Sequence, residues 1–280
     1  PMEKNNEGIK EMIVSKIEDG TNRRDVTCTT YQMRNCFRQF FDGVATELDV
    51  HCYFQHLFAA NLCPKAGRVL DVCCGRGMLI PFLRYGKITP SLYVGVDIKE
   101  GNAIFAQGKD PRCPTEKKEW GFDCGFVKSN ADEMAGKVVD KFGGGFGLVV
   151  YTSAIEHMQP ASQKQSLIEC HKLASEKAVL YLTCPVTETG RSGYDCQYAA
   201  HVYEPSQNEL TKWLKAAGWI IKFSAGLCTG AKQFRKTLSG KRLEGAEYLY
   251  RIQPRAQALC SIAALYPETA TEKAFVCQKI

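Results

Sequence analysis

The chain has 280 residues, 45% of them apolar, which is enough for a sizeable core in one large domain or two small ones. No apolar run approaches the length of a membrane span, so no membrane partner is expected. Fourteen cysteines come without a secretory signal and without a single C-x-x-C pair, which points to free, buried thiols in a reducing cytoplasm rather than to a disulfide framework or a zinc ribbon. The formal charge of +6 is concentrated: residues 222–255 hold eight basic against two acidic residues, leaving the rest neutral. Such a segment is either a solvated helical face or a phosphate-facing patch, and the first reading is preferred.

Residues 1–30 are polar and read as a lead-in with a short helix near Ile9–Ile17. From Tyr31 to Leu62 the pattern turns helical, with Phe37, Phe40, Phe41, Val44 and Leu48 at three- and four-residue spacing, followed by Cys52, Leu57 and Ala60. His51, Cys52 and His56 imitate metal ligands there, but no carboxylate or second cysteine completes a set, and no metal is expected. Arg68–Gly77 (RVLDVCCGRG) reads as a buried strand that stops on Gly75 and Gly77 and turns into a helix at Met78–Leu83. Then elements alternate. Strands are predicted at Leu92–Asp97, Cys124–Ser129, Phe146–Tyr151 and Ala178–Thr183, with helices at Gly101–Gln107 and Ala161–Ala174 and a surface excursion over Gly108–Asp123. Ser206 with Glu209 signs a capping box for a helix over Gln207–Ala217, and Gly218 stops it. Trp219–Ser224 is a sixth strand, residues 231–265 are mainly helical with a break at Pro254, and Lys273–Ile280 is a final edge strand antiparallel to the rest. Strand–helix alternation predicts an α/β fold: a doubly wound, mostly parallel seven-stranded sheet with helices on both faces. The expected organisation is a helical cover over 1–62, a core over 63–225, and a helical insertion with the last strand over 226–280, completing the same domain.

Two cofactors compete for the glycine loop. A dinucleotide fingerprint needs a third glycine where Met78, Leu79 and Ile80 stand. The stretch instead resembles the D-x-G-x-G-x-G loop of class I S-adenosylmethionine (SAM) methyltransferases, with Asp71 in the acidic place, Gly75 and Gly77 as the second and third glycines, and Cys73 where the first is usual. A φ above zero at Cys73 would cost more than at glycine. Asp97 ends the second strand 26 residues after Asp71, where an acid accepts hydrogen bonds from both hydroxyls of a ribose. The resemblance implies SAM as cofactor, S-adenosylhomocysteine as product, and a site formed by Asp71, Cys73, Gly75, Gly77, Asp97 and the adjoining Ile98. It extends to Asn130, Ala131 and Asp132 after the third strand, with Asp132 toward the adenine amine. Tyr151 and Ser153, at the end of the fourth strand, are expected to line the cofactor or substrate pocket.

The segment Tyr151–Met158 (YTSAIEHM), His201–Ser206 and Ala217-Gly218-Trp219 resemble the ubiquinone- and menaquinone-type small-molecule methyltransferases. Gly147 departs from the Asp usual early in the fourth strand. Residues 151–154 carry no proline and no amine-holding loop, which argues against methylation of a flipped DNA base. Cys184, between Thr183 and Pro185, raises a thiolate-nucleophile reading of cytosine-C5 type, without the second Pro-Cys such enzymes carry. His157 and His201, with Glu156 to orient either, are the candidate catalytic residues for an acceptor that starts protonated. The reading is thus a cytoplasmic SAM-dependent methyltransferase acting on O or N of a small-molecule substrate. The alternatives are a nucleic-acid methyltransferase using residues 222–255 and a non-catalytic SAM-binding protein, for which Cys73 and Gly147 speak. Nothing in the sequence bears on the oligomeric state.

Overall fold

Strand β1 (Arg68–Val72) is buried because its apolar side chains alternate between two cores: Leu70 and Val72 enter one, Val69 the other. The pattern recurs at Val94 and Val96 against Tyr93 in β2 (Leu92–Asp97), and at Val149 and Tyr151 against Leu148 and Val150 in β4 (Phe146–Thr152). The computed structural model describes residues 47–75, 77–99, 122–196 and 199–280. It assembles seven strands in the order β3-β2-β1-β4-β5-β7-β6, with β3 at Asp123–Lys128, β5 at Ala174–Pro185, β6 at Trp219–Cys228 and β7 at Glu272–Lys279. β1 to β5 pair in parallel, and β7 is antiparallel to both its neighbours. The predicted doubly wound, mostly parallel sheet is therefore present.

Helices cover both faces. α1 (Glu47–Asn61) and α2 (Leu79–Tyr85) close the core that holds Val69 and Tyr93. α3 (Met134–Phe142), α4 (Pro160–Leu173) and α5 (Gln207–Ala216) close the other. α6 (Ala231–Thr237), α7 (Gly240–Ile252) and α8 (Arg255–Leu265) connect β6 to β7, and α8 packs against β6 and α1. A Cβ on Gly226 of β6 would stand 2.2 Å from the Ala263 carbonyl oxygen, so glycine is what lets α8 lie this close. At α5 the capping box forms: Ser206 Oγ accepts the Glu209 N–H at 3.2 Å while Glu209 Oε2 accepts the Ser206 N–H at 2.9 Å. Gly218 ends that turn at φ +86°, where a Cβ would strike the His171 ring.

One expectation is corrected. The last strand is not the edge: β7 lies between β5 and β6, and β6 is outermost. Burial explains the choice. Ala274, Phe275 and Cys277 of β7 are all buried, whereas Lys222, Phe223 and Ser224 in the middle of β6 are exposed. An edge strand tolerates a lysine and uses it to discourage further pairing; an interior strand does not. The expected helix at Ile9–Ile17, the residues Phe37 to Val44 and the helix Gly101–Gln107 lie outside the described residues, as does most of Gly108–Asp123.

Candidate active site

The carboxyl ends of β1, β2 and β4, with the turns that follow them, meet at one edge. After β1 the chain bends through Cys73 (φ +56°), Gly75 (φ +55°) and Gly77 (φ +76°). The loop is seated by Cys74, whose N–H donates to the Val96 carbonyl at 3.0 Å and whose Sγ lies against Gly95, where a Cβ would be 2.7 Å away. A Cβ built on Gly75 meets nothing within 4 Å, so the loop faces open space. Asp97 braces this edge: Oδ2 accepts the Gly75 N–H and Oδ1 the Lys99 N–H, each at 2.9 Å. It therefore shapes the glycine loop. Cys73 holds a left-handed backbone without being glycine, a strained conformation of the kind found at binding sites. Burial, with the neighbouring carboxylates adding, raises its thiol well above the ordinary range, so it is a small packed side chain and not a thiolate.

Asp71 faces inward rather than toward the loop. It is buried on the α1–α2 face, where the Tyr93 hydroxyl donates to its Oδ2 at 2.6 Å. Burial pushes its carboxyl up to about 7 against that hydrogen bond, and the Asp97 charge adds to the rise.

At the end of β4, Ser153 has φ +43°, a second strained non-glycine residue beside the first. Its N–H donates to the Thr183 carbonyl at 3.0 Å, and its hydroxyl donates to Gln55 Oε1 at 2.8 Å. Thr183 Oγ1 donates to the same Gln55 oxygen at 2.7 Å, and His51 Nε2 lies 3.3 Å from Glu272 Oε1. Helix α1 is thereby tied to the ends of β4, β5 and β7. Burial opposes a charge on His51, yet the charge and hydrogen bond of Glu272 together with the ring's contacts to Cys52 hold the imidazole's pKa well above its ordinary value. His56 Nδ1 bonds the Cys52 carbonyl within the helix at 2.6 Å. Both histidines of α1 thus have structural partners.

Beyond Ser153 a 3₁₀ turn carries Ile155, Glu156 and His157, and residues 199–204, which end in a two-residue strand (Tyr203–Glu204) paired with Arg191–Ser192, fold back onto it. The Val202 N–H donates to the Glu156 carbonyl at 2.8 Å, and Gln163 Nε2 donates to the carbonyls of Met158 and Tyr203. His157 and His201 meet edge-to-face with ring centres 5.0 Å apart. His157 Nδ1 donates to the Ala200 carbonyl at 2.8 Å, and His201 Nδ1 to Glu204 Oε1 at 2.6 Å. His201 Nε2 stands 3.9 Å from Glu156 Oε1. Glu156 and Glu204 are buried, and His157 is exposed.

A methyltransferase domain model matches residues 48–221, well over half of the chain. The chain belongs to the methyltransferase domain family. A search of curated proteins by sequence finds no match. Among solved structures, the methyltransferase is similar to a SAM-dependent methyltransferase from Archaeoglobus fulgidus, at TM-score 0.53 and 19% identity over 90% of this chain and 100% of that one. It is also similar to the 1,6-didemethyltoxoflavin-N1-methyltransferase of Burkholderia thailandensis, solved with 1,6-didemethyltoxoflavin and S-adenosylhomocysteine, at TM-score 0.52 and 16% identity over 90% of both chains. The O-methyltransferase of a trans-AT polyketide multienzyme from Brevibacillus brevis, in complex with S-adenosyl-L-homocysteine, follows at TM-score 0.51 and 16% identity over 82% of this chain and 72% of that one. These likenesses show the fold. Family and fold together make the protein a class I SAM-dependent methyltransferase, as the glycine loop implied, without singling out the quinone-type subgroup.

The edge fits that cofactor. The open face of Gly75, the buried but edge-lying Asp97 and the exposed Ile98 adjoin one another. Asn130, Ala131 and Asp132 follow β3, the strand beside β2; Ala131 is buried, Asp132 half-buried, and Asn130 Nδ2 reaches Glu133 at 3.3 Å. Tyr151 lies elsewhere: it is wholly buried, its hydroxyl donating to Ser166 at 3.2 Å under α4. Cys184 is also fully buried, and burial followed by nearby carboxylates raises its thiol well above the ordinary range, which removes it as a nucleophile. Of the basic segment, Arg235 pairs with Glu247 and Arg242 with Glu268 on the surface. Sequence reading missed Gln55, Thr183, Glu204 and Glu272. The spacing His201-x-x-Glu204 was the one available signal; the others lie far apart along the chain.

Proposed function

We propose that this methyltransferase moves a methyl group from SAM to an oxygen or nitrogen of a small-molecule acceptor seated beside Glu156, His157 and His201. The observation that carries the reading is the convergence of two imidazoles and a buried carboxylate just past β4, next to the glycine edge. SAM supplies an electrophilic methyl on a sulfonium that is its own leaving group. The Cys73–Gly77 loop and Asp97 would hold it, with Ile98 and Asp132 flanking the nucleoside. The chain's task is then alignment and exclusion of water. Helix α1, tied through Gln55 to Ser153 and Thr183, closes the edge from above. Both Nδ1 atoms are engaged, so Nε2 is each ring's other nitrogen, and His157, on the exposed side of the cluster, is the group assigned to accept an acceptor proton. Glu156 and Glu204 orient the pair. The organisation we propose is one domain: α1 as cover, residues 63–225 as core, and 226–280 completing the sheet.

Incubation with methyl-labelled SAM and fractionated cell extract tests this. Label is expected in the small-molecule fraction, and His157→Ala should reduce its entry at least tenfold. Label confined to nucleic acid, with binding that falls steeply with salt, would overturn the substrate class and restore a role for residues 222–255.

A further inference from the structure

We infer that Glu156, His157 and His201 form a binding site for a divalent transition-metal ion, and that this ion receives a hydroxyl-bearing acceptor. The inference rests on the reading of this cluster as the acceptor site and deepens it by naming how the acceptor is held. Each of the three residues offers one ligand atom, and the three atoms all lie within 4.8 Å of one another. Two imidazoles and one carboxylate on one side of an ion, with the remaining positions open, is a donor set suited to iron(II), manganese(II) or zinc(II). With bonds of about 2.1 Å, ligand atoms around such an ion stand roughly 3.4 Å apart, so small side-chain rotations complete the site.

Three features distinguish this group from a chance cluster. First, the tautomers are set. A metal-bound histidine almost always donates its other ring N–H to a carboxylate or a backbone carbonyl. Here His201 Nδ1 meets Glu204 at 2.6 Å and His157 Nδ1 meets the Ala200 carbonyl at 2.8 Å, one of each kind. Nε2 is then the nitrogen by which each ring would bind an ion. Second, the frame is fixed: the Val202 N–H to Glu156 carbonyl bond and the Gln163 bridge hold the loop carrying His201 to the turn carrying Glu156 and His157. Third, burial is graded. The side chain of Glu156 is 2% exposed and that of His201 9%, while His157 is exposed. One side of the site is closed by protein and the other is open, as a catalytic metal site requires and a structural one does not. Glu156 and Glu204 also bring two carboxylates to one buried place, and a dication balances both.

An acceptor hydroxyl in the open position would lose its proton to solvent more readily, because the ion stabilises the oxygen anion. The oxygen then forms its bond to the methyl carbon as the carbon–sulfur bond breaks, and sulfur keeps the electron pair. With the ion in place His157 is a ligand, and coordination takes over from it the loosening of the proton. The site departs from the expectation of no metal; it lies apart from His51, which meets Glu272, and from His56, which bonds its own helix.

The test uses the full chain, stripped with chelator and dialysed. Manganese(II) is titrated by electron paramagnetic resonance and zinc(II) by calorimetry, while S-adenosylhomocysteine binding is measured separately on the same sample. About one equivalent of ion is expected per chain. His157→Ala, at an exposed position, should weaken binding at least tenfold with the melting temperature of the ion-free protein unchanged. Glu204→Gln should weaken it roughly 10- to 100-fold without touching a ligand. Cofactor binding should be the same in all variants. If the wild-type chain binds S-adenosylhomocysteine but takes up no stoichiometric ion, or if His157→Ala binds the ion as tightly, the metal site is refuted while the methyltransferase reading stands. If S-adenosylhomocysteine itself fails to bind, the broader reading falls instead.

Discussion

Replacing Asp71 by Asn should make the protein more stable at neutral and alkaline pH, with a gain that grows from about pH 4 to about pH 7 and then levels off. Asp71 is buried, and its folded-state carboxyl is pushed from 3.8 up to about 7. The folded chain therefore holds a proton that the unfolded chain has lost throughout that interval. Stability contributed by the protonated carboxyl is fully present below about pH 4 and declines as pH rises through 7. Three pKa units at about 1.4 kcal/mol each amount to about 4 kcal/mol in all, of which about 3 kcal/mol falls between pH 5 and 8. Asn keeps an oxygen to accept the Tyr93 hydroxyl, now 2.6 Å from Asp71 Oδ2, and cannot ionise. Urea unfolding of the cofactor-free protein at pH 5, 6, 7 and 8 is the assay. The wild type should lose stability across the series relative to Asp71→Asn, with the two lines diverging upward in pH. Parallel lines would show that Asp71 is ionised and solvated in the native state, and the assignment of its environment would be wrong.

Three more outcomes follow from the geometry. Asp97→Ala removes the acceptor of both the Gly75 and Lys99 N–H groups, so cofactor binding should drop at least a hundredfold in calorimetry while the far-ultraviolet dichroism stays that of the wild type. Cys73→Gly relieves a left-handed backbone at φ +56° and should raise stability by about 1 kcal/mol with cofactor affinity preserved, as read from paired denaturation and binding curves. Gly226→Ala sets a Cβ against the Ala263 carbonyl and should cost about 2 kcal/mol or more through displacement of α8; an unchanged midpoint in urea would refute the close approach of that helix to β6.

Some of the site could be read from residues in order because its parts are local. The turn after β1, the acid that ends β2 and the capping box at Ser206 are each written within a few positions, and each formed where the pattern placed it. Tyr151 was misplaced for an equally local reason. Side chains alternate along a strand, and Tyr151 falls on the same face as Val149, under α4, while the turn at Ser153 is where the chain leaves the sheet. The order of β6 and β7 also left a mark, since Lys222-Phe223-Ser224 is a poor interior sequence, but backbone hydrogen bonds are alike in every strand and neighbours are chosen by what both faces can bury.

By itself, then, the amino-acid order determined the strand–helix alternation, the glycine loop with Asp97 and hence the methyl-donor chemistry, because apolar period and backbone freedom act over a few residues. Only the tertiary structure decided that His201 and Glu204 close on Glu156 and His157, that Gln55 of α1 ties down Ser153 and Thr183, and that β7 enters the sheet between β5 and β6. Those contacts join residues far apart along the chain. Their partners are selected by burial and by the need to pair every buried polar group, conditions that exist only once the sheet has closed.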